Sequence, residues 1–399
     1  MTTSLRLRMK RLAETALPGT FSFYQRLFPT SSILLILPVV FVTITVPQGV
    51  KILMRQDIAD RIPYGIRIEK PYQIRGEMQM KPYAVGVDVG GTSVKLGLFT
   101  AEGEVRKKWE IPTRKEEKGC HILPDIARSI RDTLDEEGIP LASVEGAGLG
   151  VPGAVLADGT VNKAVNLGWD VLPAAEELSG MLDGIRVRAA NDANAAALGE
   201  MWKGGGSGYR NVVLLTLGTG VGGGIILDGR IWAGTNGAGG EVGHIPVNPE
   251  ETECCGCGNR GCLEQYVSAS GIARMARMRL AADETASTLR NSARVTARTV
   301  FDAAKAGDAL ALELVEDFGR ILGRACATVA AVVDPEAFVI GGGVSHAGRI
   351  VLDVTEKYYR QYAFHASRDA QFRLAELYND AGIYGAVKLV LQSAADAQE

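Results

Sequence analysis

The sequence predicts an α/β protein of two lobes, and three observations support that prediction. The chain has 399 residues, more than one ordinary hydrophobic core accommodates, so two lobes or domains are expected. Beyond residue 80, short apolar runs alternate with segments of helical periodicity. A strand, a Gly-Thr turn and a second strand occur around Asp88 and again around Thr219, which indicates similar lobes that each present one turn to a central cleft.

The composition is that of a soluble globular enzyme, with 46% hydrophobic and 22% charged residues. The net charge of -3 provides no broad basic surface, so a nucleic-acid partner is not expected. Many of the 48 glycines are clustered, which favours backbone that turns tightly or approaches a ligand closely.

Residues 1–80 differ in character from the rest of the chain. Basic residues near the N-terminus precede an apolar run at 33–50 that two prolines interrupt. About 20 apolar residues can span a bilayer, and the basic flank would then leave the N-terminus in the cytosol. Three interpretations stay open: an over-extended start with Met78 or Met80 as the true first residue, a membrane anchor, or an interaction arm. The segment shows no polar, capped helix–turn–helix pattern.

The elements that follow are predicted from periodicity, caps and turn residues. Strands are predicted at 83–89, 94–99, 144–151, 185–190, 211–217, 224–227 and 337–340. Helices are predicted at 122–136, at 193–202 behind the caps Asn191 and Asp192, across one long region at 269–333, and at 383–392. We divide these into a small lobe of residues 81–191 plus 382–399 and a large lobe of residues 192–381.

The first glycine turn has a residue set suited to phosphate. Glycine lets backbone N–H groups approach phosphate oxygens, and a threonine adds a hydroxyl donor. Asp88 before the turn could hold magnesium through water. For the Gly-Gly-Thr turn alone, an ordinary hairpin remains the alternative. The candidate nucleotide-binding residues here are Asp88, Gly90, Gly91, Thr92 and Lys95.

A second glycine turn follows the strand at 211–217. Its glycines fit the spacing of a dinucleotide-binding loop, but a strand and turn follow where that fold needs a helix, and no Walker-type lysine motif is present. A second phosphate-binding hairpin is therefore predicted, and three glycines after the strand at 337–340 suit a nucleoside. The candidate residues are Gly218, Thr219, Gly220, Gly222, Gly341, Gly342 and Gly343.

Four of the six cysteines lie between Cys254 and Cys262, a density that favours a metal site over a disulfide framework. One imidazole and three thiolates suit tetrahedral zinc with no open position, which makes the site structural. The predicted ligands are His244, Cys255, Cys257 and Cys262, with Cys254 as a spare neighbour.

Asp192 is a candidate proton acceptor, because it lies where a strand ends and a helix begins. A plain capping pair with Asn191 is the alternative. Polar residues around the cysteine loop could bind several adjacent hydroxyls, although each taken singly is more often a surface charge. The candidate polyol contacts are Asn166, Asn191, Asp192, Glu241, His244 and Glu264.

From Lys81 to its end, the chain resembles the ROK family, which contains bacterial sugar kinases and sugar-responsive repressors. The resemblance rests on five motifs in order: Asp88-Val-Gly-Gly-Thr92, Asn191-Asp-Ala-Asn194, Leu217-Gly-Thr-Gly220, Gly240-Glu-Val-Gly-His244 and the cysteine string Cys255–Cys262. One departure lies near the C-terminus, where Tyr378 precedes Asn-Asp-Ala-Gly-Ile and glycine is expected.

The resemblance implies a two-lobed actin-like ATPase (ribonuclease H-like) fold with a zinc-bound loop. It implies ATP and magnesium at the Gly-Thr turns, adenosine near residues 341–343, Asp192 as catalytic base and the polyol contacts above as sugar contacts. His244 matches a family residue with one ring nitrogen on zinc and the other toward the sugar.

Within the family the chain is most similar to glucokinases, so the expected reaction is transfer of phosphoryl from ATP to the 6-hydroxyl of glucose. A kinase for N-acetylmannosamine, fructose or allose is the alternative, followed by a sugar-responsive repressor. The resemblance also implies a homodimer or homotetramer. Since ATP is cytoplasmic, we expect a cytoplasmic protein and no membrane partner, despite the apolar run at 33–50.

Overall fold

A computed structural model of the chain describes residues 33–37, 40–44 and 81–396, and divides it into the units Met1–Gly76 and Glu77–Glu399. In the first unit, β1 (Ile33–Leu37) pairs antiparallel with β2 (Val40–Ile44). The apolar run at 33–50 thus contributes two strands, and the remaining predictions for residues 1–80 lie outside the described residues. None of the helices in the described ranges is both long enough and apolar enough to cross a membrane.

The second unit alternates strands and helices. The strands are β3 (Tyr83–Val89), β4 (Ser93–Thr100), β5 (Val105–Pro112), β6 (Val144–Val151), β7 (Ala154–Val155), β8 (Val161–Ala164), β9 (Trp169–Leu172), β10 (Arg186–Asn191), β11 (Val212–Leu217), β12 (Val221–Leu227), β13 (Arg230–Ile231), β14 (Ala337–Gly341) and β15 (Gln371–Leu374). The helices are α1 (Ile122–Glu136), α2 (Ala174–Met181), α3 (Asp192–Lys203), α4 (Glu264–Val267), α5 (Ala269–Ala282), α6 (Ala297–Lys305), α7 (Ala309–Val333), α8 (Arg349–Tyr362) and α9 (Ala381–Asp396).

Two five-stranded sheets repeat one topology. The first has the order β10-β6-β3-β4-β5 and the second has the order β13-β12-β11-β14-β15. In each, a central strand pairs antiparallel with the strand that follows it and parallel with a strand that comes later in the chain. The repeat predicted from the two Gly-Thr turns therefore extends to whole sheets. The strands β7, β8 and β9 form a separate three-stranded sheet.

Two helices lie between the sheets. Helix α9 packs against the first sheet, and helix α3 packs against the second. Glycines allow close approach: a Cβ on Gly385 of α9 would lie 1.6 Å from the backbone oxygen of Ala195 in α3, and one on Gly148 of β6 would lie 1.8 Å from that of Ala386. The outer faces of the sheets carry two larger apolar clusters that include α1 and α2 on one side and α5 to α8 on the other.

Most predicted elements occur where expected, and the strands at 83–89 and 144–151 and the helix at 122–136 have the predicted bounds. The single helical region predicted at 269–333 was wrong, because it consists of the three helices α5, α6 and α7. Each begins at a polar cap, with Ser268, Thr296 and Asp308 accepting from backbone N–H groups. The lobe boundaries remain a prediction.

Candidate active site

The first Gly-Thr turn joins β3 to β4. It is held by hydrogen bonds from Thr113, a residue that the sequence analysis did not identify. The hydroxyl of Thr113 donates to the carbonyl oxygen of Gly90 at 2.7 Å, and its amide donates to the oxygen of Thr92 at 3.0 Å. Nothing lies within 4 Å of a Cβ built on Gly91, and Thr92 is exposed. The outer side of the turn is therefore open to a ligand.

Two of the predicted nucleotide-binding residues, Lys95 and Asp88, lie beside this turn and approach other parts of the protein. The Lys95 ammonium donates to the carbonyl oxygen of Asn379 at 3.2 Å, which leaves further N–H groups for a phosphate. The Asp88 carboxylate lies against the first turn of α9, where a Cβ on Gly382 would be 2.7 Å from its Cγ.

The second Gly-Thr turn joins β11 to β12 and rests on the start of α5. The carbonyl oxygen of Gly218 accepts from the amide of Ala269 at 2.8 Å, and that of Thr219 accepts from the hydroxyl of Ser270 at 2.5 Å. Gly222 lies beyond the turn, in β12, where a Cβ would be 3.5 Å from the Cβ of Ala193. Its position favours close packing of α3 over ligand contact.

The third glycine cluster, residues 341–343, lies directly against the backbone of the second turn. Gly342 has φ +79°, and a Cβ there would lie 2.6 Å from the carbonyl carbon of Leu217, the residue before the second turn. Ser345 closes this bend by donating its hydroxyl to the Gly342 oxygen at 2.7 Å. A Cβ on Gly343 meets nothing within 4 Å. The predicted phosphate and adenosine turns of the large lobe are therefore adjacent.

These contacts predict different outcomes for neighbouring substitutions. We expect Gly342→Ala to lower the free energy of unfolding by about 2–4 kcal/mol, because it combines an unfavourable φ with a backbone clash. Gly343→Ala should change it by less than about 0.5 kcal/mol. Urea unfolding of both variants checks this, and equal stabilities would contradict the described bend.

Asn191 caps helix α3, and Asp192 is the first residue of that helix. The Asn191 side-chain oxygen accepts from the amides of Ala193 at 3.0 Å and Asn194 at 3.1 Å, and its nitrogen donates to Gly153 at 3.0 Å. The Asp192 carboxylate accepts from the amide of Ala193 at 2.8 Å and also interacts with its own amide and with the Asn191 side chain. Asn191 therefore supplies the helix cap, so this role does not fall to the Asp192 carboxylate.

Three carboxylates influence one another near these turns. Burial and the charge of Asp192 raise the pKa of Asp88 from its ordinary 3.8 to about 6, although the positive charge of Lys95 acts to lower it. Burial also raises the pKa of Asp192, a shift that the Ala193 amide opposes and Glu241 reinforces. A half-buried carboxylate with a raised pKa suits a proton acceptor, and the accumulated negative charge suits a divalent cation.

The four predicted zinc ligands converge. Their ligand atoms all lie within 4.8 Å of one another, with His244 Nδ1 3.9 Å from Cys255 Sγ and Cys257 Sγ 3.7 Å from Cys262 Sγ. A tetrahedral site with Zn–S bonds of about 2.3 Å separates two sulfurs by about 3.8 Å. The residue set and its spacing therefore fit zinc. Cys254 is exposed and lies outside the group.

The metal loop is connected to the second turn and to Glu241. One Glu264 oxygen accepts from the amide of Val221 at 2.9 Å, and the other lies 3.5 Å from Cys255 Sγ. Since His244 Nδ1 faces the thiols, its Nε2 faces the opposite way and lies 3.8 Å from a Glu241 oxygen. Glu264 thus ties the loop to the turn, while Glu241 and His244 Nε2 remain available to a hydroxylated ligand.

Asn166 lies in a helical turn, Val165–Leu167, between β8 and β9, and is exposed. The strand before it, β8, lies close to Gly153 through Lys163. The carbonyl oxygen of Gly153 in turn accepts from the Asn191 side chain. The contact of Asn166 with a sugar therefore stays a prediction.

The sequence analysis missed the residues that hold the turns in place. Thr113 and Ser270 carry no local pattern that marks them, whereas Ser268 could have been found as a helix cap. The buried carboxylate of Glu200 was also missed, and it accepts from the amides of Gly205, Glu376 and Leu377.

Comparisons with known proteins cover most of the second unit. A model described as the ROK family matches residues 84–393. A glucokinase of Halalkalibacterium halodurans is 44% identical over 313 residues, or 77% of this chain and 94% of that protein. A glucokinase of Thermotoga maritima is 35% identical over 77% of this chain and 96% of that protein. The crystal structure of a ROK family glucokinase from Streptomyces griseus with glucose and AMPPNP is 34% identical, with a TM-score of 0.61 over 78% and 99% of the two chains.

Proposed function

This chain belongs to the ROK family, and on that premise we propose that it is a glucokinase, which transfers the γ-phosphoryl group of ATP to the 6-hydroxyl of glucose. Its fold is the two-lobed actin-like ATPase fold. The observation that carries the proposal is the position of Asp192 between the two Gly-Thr turns. It begins helix α3, which packs on β12, the strand after the second turn. Its charge also acts on Asp88, which lies beside the first turn.

Asp192 acts as the general base. Its carboxylate takes the proton of the 6-hydroxyl as the oxygen attacks the γ-phosphorus in line with the departing ADP oxygen. The raised pKa brings its basicity closer to neutral pH, which favours proton uptake during the attack. Because Asn191 holds the helix start, the carboxylate is positioned without being neutralised.

The two Gly-Thr turns bind the phosphates. Backbone N–H groups around Gly91 and Gly220 and the exposed hydroxyls of Thr92 and Thr219 can donate to phosphate oxygens from opposite lobes. Lys95 adds a positive charge beside the first turn. Magnesium, held by Asp88 through water, would neutralise charge on the phosphates. Closure of the lobes would then exclude water from the reacting atoms.

The metal loop orients the sugar. His244, Cys255, Cys257 and Cys262 would hold zinc, and the bound ion would fix the His244 ring, whose Nε2 points away from the thiols and toward Glu241. His244 and Glu241, with Asn166 and Asn191 across the cleft, then contact the sugar hydroxyls. Glu264 contributes by joining the loop to the second turn, and it can also meet the sugar. We place the protein in the cytoplasm, as a homodimer or homotetramer.

A panel of hexoses tests this function. Glucose, N-acetylmannosamine, fructose and allose are each incubated with MgATP and the protein, and ADP is detected by a coupled assay. We expect the highest kcat/KM for glucose and glucose 6-phosphate as the product. A higher kcat/KM for another sugar would reassign the substrate, and ADP release that no sugar stimulates would contradict the kinase assignment.

Replacement of Asp88 by asparagine is expected to raise the stability of the ligand-free protein and to lower its activity. A carboxyl whose pKa is raised in the folded state stabilises the fold below its ordinary pKa of 3.8, and that contribution is lost as the pH rises through about 6. We therefore expect Asp88→Asn to stabilise the ligand-free protein at pH 7.5 by up to about 3 kcal/mol, with little gain at pH 4. The kcat with MgATP should fall. Thermal unfolding at both pH values checks the sign, and destabilisation at pH 7.5 would contradict it.

A further inference from the structure

Tyr378 has a backbone conformation that tyrosine rarely adopts. Its φ is +48°, in the left-handed region that costs a bulky residue energy and suits glycine. This explains why the sequence pattern leads one to expect glycine there. The ring is 62% exposed, so burial of the side chain does not offset the strain.

The chain before Tyr378 is held by the buried carboxylate of Glu200, which is 1% exposed. That carboxylate accepts from the amides of Glu376 at 3.0 Å and Leu377 at 2.8 Å. The direction in which the chain enters the strained position is therefore fixed.

The chain after Tyr378 is held by two lysines of the first sheet. Lys95 donates to the carbonyl oxygen of Asn379 at 3.2 Å, and Lys108 pairs with the Asp380 carboxylate at 2.7 Å. The strained residue thus stands between anchors on both lobes, one of them a lysine that flanks the first phosphate turn.

The Tyr378 ring faces the predicted adenosine turn. Its centroid lies 5.7 Å from that of the His346 ring, with an angle of 30° between the planes. His346 belongs to the helical turn Gly343–Ala347, which continues the glycine cluster. In the same region, a Cβ on Gly341 would be 3.1 Å from Ala375, three residues before Tyr378. The two rings therefore form an aromatic wall beside the glycines.

We propose that Tyr378, with His346 behind it, is a stacking surface for the adenine ring of ATP and strengthens nucleotide binding in this chain. A rigid, exposed ring loses little entropy on stacking, and a purine offers a matching π-face. The energy gained on nucleotide binding would offset the strain held in the ligand-free protein. This inference rests on the proposed function, because it takes ATP as the phosphoryl donor.

The test compares Tyr378→Gly and Tyr378→Phe with the unmodified protein at saturating glucose. We expect Tyr378→Gly to raise the KM for ATP about tenfold, with kcat changed less than about twofold and the melting temperature unchanged or higher. Tyr378→Phe keeps the ring and should keep the KM. Inhibition by tripolyphosphate, which has no base, should be the same in all three proteins.

Phe364→Ala is the matched control, since Phe364 is also 62% exposed and also lies beside a histidine, outside this turn. A KM for ATP that Tyr378→Gly leaves unchanged or lowers would overturn the proposal. So would weaker tripolyphosphate inhibition in Tyr378→Gly, which would mean that the turn itself had moved. Calorimetric titration with AMPPNP separates the two claims: nucleotide binding that depends on Tyr378 without sugar phosphorylation would contradict only the kinase function.

Discussion

Asp192→Asn is expected to lower kcat for glucose phosphorylation by about 10²- to 10⁴-fold while the KM for glucose changes little. The amide keeps the size of the carboxylate but accepts no proton. The helix should form normally, because the Asn191 side chain supplies the cap by accepting from the amides of Ala193 and Asn194. Steady-state kinetics with coupled ADP detection measures the loss.

The control is Asp135→Asn, which removes an exposed carboxylate from helix α1. Its kcat should be that of the unmodified protein. The melting temperature of Asp135→Asn should lie within a few degrees of the parent, and that of Asp192→Asn should be equal or higher, because burial raises the pKa of Asp192 and the amide carries no charge. If Asp192→Asn retained most of its kcat, proton transfer at this position would not be part of the mechanism.

Loss of the zinc site is the second large effect that we expect. Cys257→Ala removes one of four converging ligands and leaves three thiolate or imidazole groups that no longer enclose the ion. The loop should loosen, and His244 should lose its fixed orientation. We expect a rise of about 10- to 100-fold in the KM for glucose, together with a lower melting temperature.

Cys254→Ala provides a matched comparison three residues away. Its thiol is exposed and lies outside the ligand group, so zinc content, melting temperature and KM should all remain those of the parent. Elemental analysis gives the zinc content of each purified variant. If Cys257→Ala lost zinc and kept its KM for glucose, the loop would not organise the sugar site.

The strands and turns of this protein are encoded locally, and this made them predictable. An apolar run that ends in Gly-Gly-Thr predicts both a strand and a turn, and the β3–β4 hairpin occurs there. The cysteine loop was predictable for a similar reason. Its three thiols lie within eight residues, a spacing typical of a metal site.

Contacts between distant segments were not predictable. Thr113 lies 23 residues from Gly90, and Glu200 lies more than 170 residues from two of the amides that it binds, those of Glu376 and Leu377. Neither residue type is unusual in its local sequence. The role of Asn191 was also ambiguous, since capping and sugar binding require the same side chain, and only the structure shows which of its atoms are engaged. By contrast, the helix boundaries within 269–333 carried local signals that the sequence analysis did not use, such as Thr296 and Gly307-Asp308.

Binding measurements on Asp192→Ala test the central claim most directly. Calorimetry gives the affinities of the unmodified protein and of this variant for glucose and for 6-deoxyglucose, which lacks the reacting hydroxyl. If the carboxylate meets that hydroxyl, the substitution should weaken glucose binding and leave 6-deoxyglucose binding unchanged, which gives a coupling free energy of about 0.5–3 kcal/mol. Equal effects on both sugars would show that Asp192 does not contact the 6-hydroxyl, and the proposed mechanism would be wrong.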